Sequence, residues 1–565
     1  MSFPPTEEQL HIHDLFKTGQ ALKVRAGAGT GKTTTLLQLA EILEAENRIG
    51  LYIAFNKSIA VEAGKKFPRC VTASTAHSLA YRGIANTRHA PLLDKMRGNA
   101  RIPFRVTQDR IGIKGLGVTG NDGEPRLLNP YKITRHVLRT IDKFCQTTAE
   151  EIGPEHVPVM PGLNAAHRKL IDAVLPYARL AWKDIVNPRG DAIVFGHGHY
   201  LKLWALEHPR IGYEGAALFL DEAQDTSGVL AGVIAEQTHL HRVYVGDSAQ
   251  AIYRFTGAVN AMNNFGDAVE GRLTQSWRFG PEIADAANYM LGELGDDMQL
   301  TGNPGLDSII DRSAGHYDAI LCRTNGRALA HVMSAQRGGR KVHLMSDTKY
   351  AEQFCESAEK LMTGQQANLE DLAAFTSWEQ VQEYAQDSPD AADWKVLVKL
   401  IDEHGATPLR AALGNVVSER DADVVIATAH KSKGREFGRV LLDDDLAEAV
   451  DDGDGKDPAR LRDEQMLAYV AITRAQHVLN PGRLVPTADS SFTAGTPPVE
   501  AAPAEPTPID IGKGEPVVLA ANVEVRFTGT EYEQILATAK DRPVDEWIRE
   551  AALFCVGTMT PVKSA

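Results

Sequence analysis

Hydrophobic positions along this chain fall into short dense runs separated by longer stretches of helical periodicity. Leu22, Val24 and Ala26 alternate with polar neighbours and predict a strand; Leu36, Leu37, Leu39, Ala40, Ile42 and Leu43 then make a helical apolar face. Runs at 49–55, 70–75, 216–220 and 243–245 read as further buried strands with helices between them. Runs at 319–322, 424–427 and 440–442 predict a second such unit. Strands buried on both faces and separated by helices belong to parallel sheets. From Tyr81 to about Tyr213 the pattern is more helical and less regular, and residues 346–419 read as helices carrying Leu361, Leu369, Leu372, Leu397, Val398 and Leu400. The acidic run from Asp443 to Asp454 is expected to be a solvated loop.

Past about residue 486 the texture changes. Residues 486–516 are rich in Pro, Ala, Ser, Thr and Glu and poor in large apolar residues, the composition of a disordered linker. Residues 517–565 follow as a small unit. Val523, Val525 and Phe527 alternate with Glu524, Arg526 and Thr528 and predict a strand. A helix begins near Thr530 with Tyr532, Ile535, Leu536 and Ala539 on one face. Asp541-Arg542-Pro543 breaks it, and a second helix carries Val544, Trp547, Ile548, Ala551 and Leu553.

A length of 565 residues exceeds one core, so several domains are expected. With 43% hydrophobic and 24% charged residues the chain is an ordinary globular protein, and no apolar run reaches membrane-span length. The N-terminus carries no basic-then-apolar signal pattern, which predicts a cytoplasmic protein. Cys70, Cys145, Cys322, Cys355 and Cys555 lack Cys-x-x-Cys spacing, so neither a zinc site nor a disulfide framework is indicated. A net charge of −14 argues against broad coating of nucleic acid but leaves a local basic groove open. Residues 82–114 are such a local exception at net +6, as either a solvated face or a track for a phosphate backbone.

The chemistry concentrates at strand ends. Ala26-Gly27-Ala28-Gly29-Thr30-Gly31-Lys32-Thr33-Thr34 lies between the first strand and its helix. Glycines let successive N–H groups turn inward on a phosphate, and the helix N-terminus adds partial positive charge. Lys32 would reach the β- and γ-phosphates and Thr33 would ligate Mg²⁺. The strict P-loop pattern has glycine where this chain has Ala26, a small residue that can serve. Asp221-Glu222-Ala223-Gln224-Asp225 follows a fully apolar strand: Asp221 would hold Mg²⁺ and Glu222 would orient the attacking water. Gln250, after the strand at 243–245, is placed to sense a γ-phosphate. Tyr253-Arg254-Phe255 and Trp277-Arg278 pair aromatic with basic character, as base stacking and phosphate contact require. Thr6 and Gln9 fit a capping box.

These motifs, in this order over residues 3–483, resemble the UvrD/Rep-type helicases of superfamily 1. Within them the likeness is strongest to the helicase part of the F-box DNA helicases. Ala54-Phe55-Asn56-Lys57-Ser58-Ile59-Ala60, Phe219–Asp225, Gln275-Ser276-Trp277-Arg278-Phe279-Gly280 and His430-Lys431-Ser432-Lys433-Gly434-Arg435-Glu436-Phe437 carry it. No F-box-like segment precedes Gln9, so no ubiquitin-ligase role is expected. The resemblance implies an α/β fold of two RecA-like P-loop domains with helical insertions. The divisions expected are 1–90 and 216–280 for the first, with insertion 91–215, and 281–345 and 420–485 for the second, with a reduced insertion at 346–419. It implies that Gln9 reads adenine, Trp277 stacks on it, Arg278 and Arg474 contact the γ-phosphate, and Glu436 lies near the sugar. Gln250 would couple phosphate state to DNA. Thr75, His77, Tyr253, Phe255, Thr428 and His430 would line the single-strand track.

The cofactors implied are ATP and Mg²⁺, and the activity is 3′→5′ translocation on single-stranded DNA with duplex unwinding. A translocase that strips bound proteins, or an ATP-controlled DNA-binding switch, would share these motifs. One departure bears on coupling: the family has Arg-Gly-Ala where this chain has Thr256-Gly257-Ala258, with Arg254 two residues earlier as the compensating cation. Residues 517–565 resemble ribbon-helix-helix proteins, which implies a homodimer whose paired strands enter a major groove. Their net charge of −2 favours instead a helical tail that packs on the core or binds a protein, because a duplex reader is usually basic.

Overall fold

The computed structural model describes residues 4–97, 102–160, 162–254, 257–263, 268–313, 315–346, 348–373, 375–387, 392–453 and 457–486. Phe255, Thr256 and residues 517–565, with the expectations that fall on them, lie outside the described residues.

Helix α1 (Glu7–Lys17) opens the chain; strand β1 (Leu22–Ala26) and helix α2 (Lys32–Ala45) follow. The other strands are β2 (Gly50–Ala54), β3 (Val71–Thr75), β4 (Leu116–Thr119), β5 (Pro125–Leu128), β6 (Ala217–Leu220), β7 (His241–Gly246) and β8 (Val269–Leu273). Then come β9 (Ile309–Ile310), β10 (Ala319–Cys322), β11 (Val342–Leu344), β12 (Val424–Thr428), β13 (Phe437–Leu442) and β14 (Ala475–Asn480). They build two six-stranded sheets, ordered β3-β2-β6-β7-β1-β8 and β11-β12-β10-β13-β14-β9. Every pairing in both is parallel. With helices between the strands, each sheet is the centre of a parallel α/β layer.

Sequence explains the strand character. Each residue of β6 and β7 is buried, as a parallel strand with helices on both faces demands. Strand β1 alternates instead: Leu22, Val24 and Ala26 are buried, while Lys23 and Arg25 reach carboxylates. Lys23 pairs with Glu270 at 2.8 Å and Arg25 with Asp296 and Asp297 at 2.6 Å each, which tolerates two cations in a central strand. Helix α1 seals this region by burying Ile12 and Phe16 among Leu36, Leu39, Phe219 and Val243.

Parallelism puts all strand C-termini of a sheet on one edge. In the first sheet that edge carries the loop after Ala26, Phe55 after β2, Thr75 of β3, Asp221 after β6, Asp247 after β7 and Thr274 after β8. A ligand site at this edge is the rule for open parallel sheets.

Two sequence expectations need correction. The stretch 81–213 is not helical throughout: β4 and β5 form an antiparallel hairpin with Thr119 opposite Pro125. Its turn holds Asp122-Gly123 with Gly123 at φ +82°, a hairpin signal hidden by a weak apolar alternation. Nor is the acidic run from Asp443 a solvated loop. Asp443 and Asp445 are buried, and residues from Asp445 to Gly453 are helical. Strands β10 and β13 are neighbours, so carboxylates ending β13 meet the N-terminus of the helix Asn325–Arg337. Asp445 accepts N–H groups from Arg323 (2.7 Å) and Thr324 (3.0 Å). Asp443 accepts from Arg327 Nε (2.8 Å) and His331 Nε2 (2.6 Å); burial opposes its ionisation, but these bonds hold it below the usual carboxylate range. Cys322 completes a cluster with His331 and Asp443 whose ligand atoms lie within 4.8 Å of one another. Burial pushes its thiol up and Arg327 already neutralises Asp443, so the group is an ion-pair network. No helix among the described residues is long and apolar enough to cross a membrane.

Candidate functional site

The P-loop leaves β1 and enters α2 through two left-handed glycines, Gly29 (φ +74°) and Gly31 (φ +85°). A Cβ on Gly29 would stand 2.6 Å from Arg278 Cβ and 2.7 Å from Ser276 Oγ, so the loop needs glycine for contact as well as for φ. Ala26 still belongs to a regular strand, paired with Leu273, where a methyl group fits. This accounts for alanine at the first P-loop position. Thr30 is buried and its hydroxyl donates to the Gly27 carbonyl at 3.0 Å. Gly31 is the N-cap of α2 and supplies no side-chain acceptor, which leaves the first amides of a 14-residue helix open to an anion. Thr33 and Thr34 lie exposed on that first turn.

Lys32 faces carboxylates. Its Nζ lies 3.6 Å from Glu222 Oε2; burial works against its charge, but Glu222, Asp247 and Asp221 together hold its pKa above the ordinary value. Asp221 accepts from Tyr52 Oη at 2.5 Å and from the Glu222 N–H at 3.0 Å. Burial and the neighbouring Glu222 push Asp221 up, whereas Lys32 and Lys433 overcome burial to keep Glu222 ionised. Glu222 has a left-handed backbone, φ +50°. Asn47 and His208 share this backbone, which persists only where surrounding contacts fix it. Asp221, Asp247 and the half-buried Glu222 gather around Lys32. Asp221 beside Lys32 and the exposed hydroxyl of Thr33, the next residue along α2, are hard oxygen donors of the kind that Mg²⁺ takes.

The opposite wall comes from the second sheet. Arg474 is 1% exposed, and its partners are neutral: carbonyls of Val470 (2.9 Å) and Arg435 (3.1 Å), Thr473 Oγ1 (3.1 Å) and Gln250 Oε1 (3.4 Å). Burial, then Arg278, push its pKa down to about 9. Arg278 donates to Glu436 Oε2 (2.8 Å) and the Thr473 carbonyl (2.9 Å). Two guanidiniums so close, one without a carboxylate partner, make a pocket that calls for an anion. Gln250 links the walls: its Nε2 donates to Asp247 Oδ2 at 2.7 Å while its Oε1 receives Arg474.

Gln9 does two things at once. It closes the capping box with Thr6, and its Nε2 donates to Thr35 Oγ1 of α2 at 3.1 Å. A Cβ on Gly31 would lie 3.7 Å from Gln9 Nε2 and 3.9 Å from Trp277 Cδ1, so Gln9 and Trp277 flank the start of α2. Trp277 is 51% exposed, and its backbone N–H donates to the Gly29 carbonyl at 2.8 Å.

The expected strand track is gathered only in part. Tyr253 Oη donates to the His430 carbonyl at 3.4 Å. His430 is half-buried, and burial followed by Arg323 pushes its pKa down to about 4. Thr428 ends β12 beside it. Thr75 pairs with Ala54 in register, which puts His77 on the same sheet edge as Phe55. The Thr75 hydroxyl is engaged as a helix cap, accepting the Ser78 N–H at 3.1 Å.

Three residues escaped the sequence reading. Phe55 is exposed and stacks on Tyr253 (centroids 5.9 Å, planes 13° apart). Tyr469, in helix α3 (Pro458–Ile472), accepts the Ala28 N–H at 3.3 Å and donates to Asp247 Oδ2 at 3.1 Å. Lys433 crosses to Asp225. Phe55 and Lys433 stood inside recognised motifs, but nothing in a linear pattern says which sheet a tyrosine or lysine will touch.

A family model described as an AAA domain matches residues 12–256. The chain is 29% identical over 510 residues to F-box DNA helicase protein 1 of Schizosaccharomyces pombe, covering 83% of this chain and 56% of that one. It is 23% identical over 349 residues to DNA helicase IV of Escherichia coli, covering 54% and 51%. The chain thus spans about half the length of the curated relatives it matches. Among solved structures it resembles the Pif1 helicase from Candida albicans, with 11% identity, a TM-score of 0.32 and coverage of 86% and 98%. In motif order, in the geometry of the cleft and in its sequence relatives the chain is similar to the superfamily 1 DNA helicases.

Proposed function

We propose that this protein is an ATP-dependent DNA helicase that translocates 3′→5′ on single-stranded DNA and unwinds duplex. The observation that carries the reading is the buried Arg474, charged, without a carboxylate partner among the described residues and hydrogen-bonded to Gln250 across the cleft. Such a group is costly unless a strongly anionic substrate comes to it.

On this reading Lys32 and the open amides of α2 hold the β- and γ-phosphates of ATP, between Gln9 and Trp277 on the base side. Thr33 and Asp221 would hold Mg²⁺, which neutralises phosphate charge when bound. Glu222, ionised and next to Lys32, orients water and takes its proton. Arg278 and Arg474 meet charge developing on the γ-phosphate and draw the second sheet toward the first. After hydrolysis that attraction is lost and Arg278 returns to Glu436. Tyr253, Phe255, His77, Thr75, Thr428 and His430 pass a strand along as the cleft opens and closes, aromatic rings stacking on bases.

ATPase turnover with and without single-stranded DNA tests the motor, and blunt against 3′-tailed duplex tests unwinding and polarity. Stimulated turnover without strand separation would leave a translocase that strips bound proteins. Binding controlled by ATP without stimulated turnover would leave a switch.

A further inference from the structure

Residues 428–437 connect opposite edges of the second sheet. Thr428 ends β12 on one edge, near His430 and Tyr253; Glu436 precedes β13 on the other, near Arg278. Lys433 stands between them, its side chain 8% exposed. Its ammonium donates to Asp225 Oδ2 and to the Gln250 carbonyl, both at 2.5 Å, and sits 5.1 Å from the centroid of the Tyr253 ring. All three partners lie in loops after β6 and β7 of the first sheet.

Those loops also hold the reactive groups. Gln224 Nε2 bridges Glu222 Oε2 (2.6 Å) and Asp225 Oδ2 (3.2 Å), and Gln224 Oε1 accepts the Asp247 N–H (3.1 Å). Asp225 Oδ1 is buried without a hydrogen bond, so Lys433 carries most of the compensation for that carboxylate. A buried ion pair gains little net stability over an apolar pair of similar volume, yet fixes geometry because breaking it is costly.

We propose that Lys433 is a positioning residue: through Asp225 and the Gln250 carbonyl it transmits occupancy of the strand track at Tyr253 to the alignment of Glu222 and Gln250. This role rests on the DNA-stimulated ATPase proposed above. It differs from that of Arg278 and Arg474, because the Lys433 ammonium is spent on Asp225, the Gln250 carbonyl and the Tyr253 ring. It makes the ring that a base would stack on and the loop that senses phosphate share one cation.

The test uses the full chain as wild type, Lys433→Met, Asp225→Asn, the double variant and Lys433→Arg. ATPase kcat and KM are measured with and without an oligo-dT strand, alongside thermal midpoints. Lys433→Met and Asp225→Asn should each lose about tenfold of the stimulated kcat, a usual size for coupling between sites, with KM for ATP little changed. Lys433→Arg should keep part of it. The double variant removes both buried charges, so its midpoint should recover while stimulation stays lost. Stimulation restored in the double variant would make the pair structural only, and wild-type stimulation in Lys433→Met would overturn the role outright. Should either single variant fail to fold, the double variant still decides. A wild type that DNA does not stimulate would remove the proposed function and this role together; a stimulated wild type matched by Lys433→Met removes this role alone.

Discussion

Arg474 and Glu222 carry unlike burdens for the same purpose. Arg474 gives up solvation and receives only neutral acceptors, while Glu222 accepts a left-handed backbone and an ammonium at 3.6 Å. On the proposed function both costs are recovered when a triphosphate lies between them. Replacing Arg474 by Lys keeps a charge but loses the planar fork, so turnover should fall about 10³-fold, the scale of an arginine acting on a transferring phosphoryl group. Steady-state ATPase measurement checks this, and unchanged turnover would remove Arg474 from the site. Glu222→Gln should still bind ATP in a fluorescence titration yet hydrolyse it about 10²-fold more slowly, the usual size of a general-base contribution. Loss of binding would instead mean that Glu222 serves to shape the loop.

Among the elements, the P-loop strand and its helix were legible from sequence because burial and periodicity agree there. Leu22, Val24 and Ala26 are buried, as are Leu36, Leu39, Ala40 and Leu43. Leu37 and Ile42 were grouped with them and are only partly buried, since a wide apolar stripe does not name its own edge. The hairpin at β4–β5 was missed because only Val118 and Leu128 among its apolar side chains are buried, too few to set a period of two. The acidic run misled because charge density suggests solvent, whereas pairing across β10 and β13 brings Arg327 and His331 to it. The join between α1 and β7 gives an element-scale prediction. His241 stacks on Phe16 (4.5 Å), sets Nε2 against the Gln20 carbonyl (2.9 Å) and has Arg48 at Nδ1 (3.3 Å). Burial, then Arg48, push its pKa down to about 4. The unfolded chain therefore binds a proton, below about pH 6.5, that the folded chain refuses until about pH 4. Stability from this group is full above the upper limit and is lost as pH falls through the window. Urea midpoints should drop from pH 7.5 to pH 5, and His241→Gln should flatten that slope; equal slopes would rule the group out.

At the scale of the whole molecule, polar contacts join the two sheets beside a buried apolar cluster in which Ala28, Ala249 and Ile252 pack with Met298, Leu300 and Tyr469. Tyr469 bridges the P-loop and Asp247, Arg278 reaches Thr473 and Glu436, and Arg254 pairs with Asp463 at 3.2 Å. Sequence gave each motif but not these crossings, which exist only once α3 lies against the P-loop. Tyr469→Phe keeps the ring and leaves the Asp247 carboxylate short of a donor, so it should cost about 1–3 kcal/mol in urea unfolding, the penalty for a buried polar group left unpaired. An unchanged midpoint would mean that water replaces the hydroxyl freely. Polar joins of this kind can part and re-form with phosphate charge, as a motor needs. The most direct measurement of that claim is the ATPase rate of the full chain with and without single-stranded DNA, set against Lys32→Ala. A rate that rises at least about tenfold with DNA and disappears in Lys32→Ala is the predicted result, tenfold being an ordinary coupling between two sites. A rate indifferent to DNA, or one that survives the loss of Lys32, would contradict it.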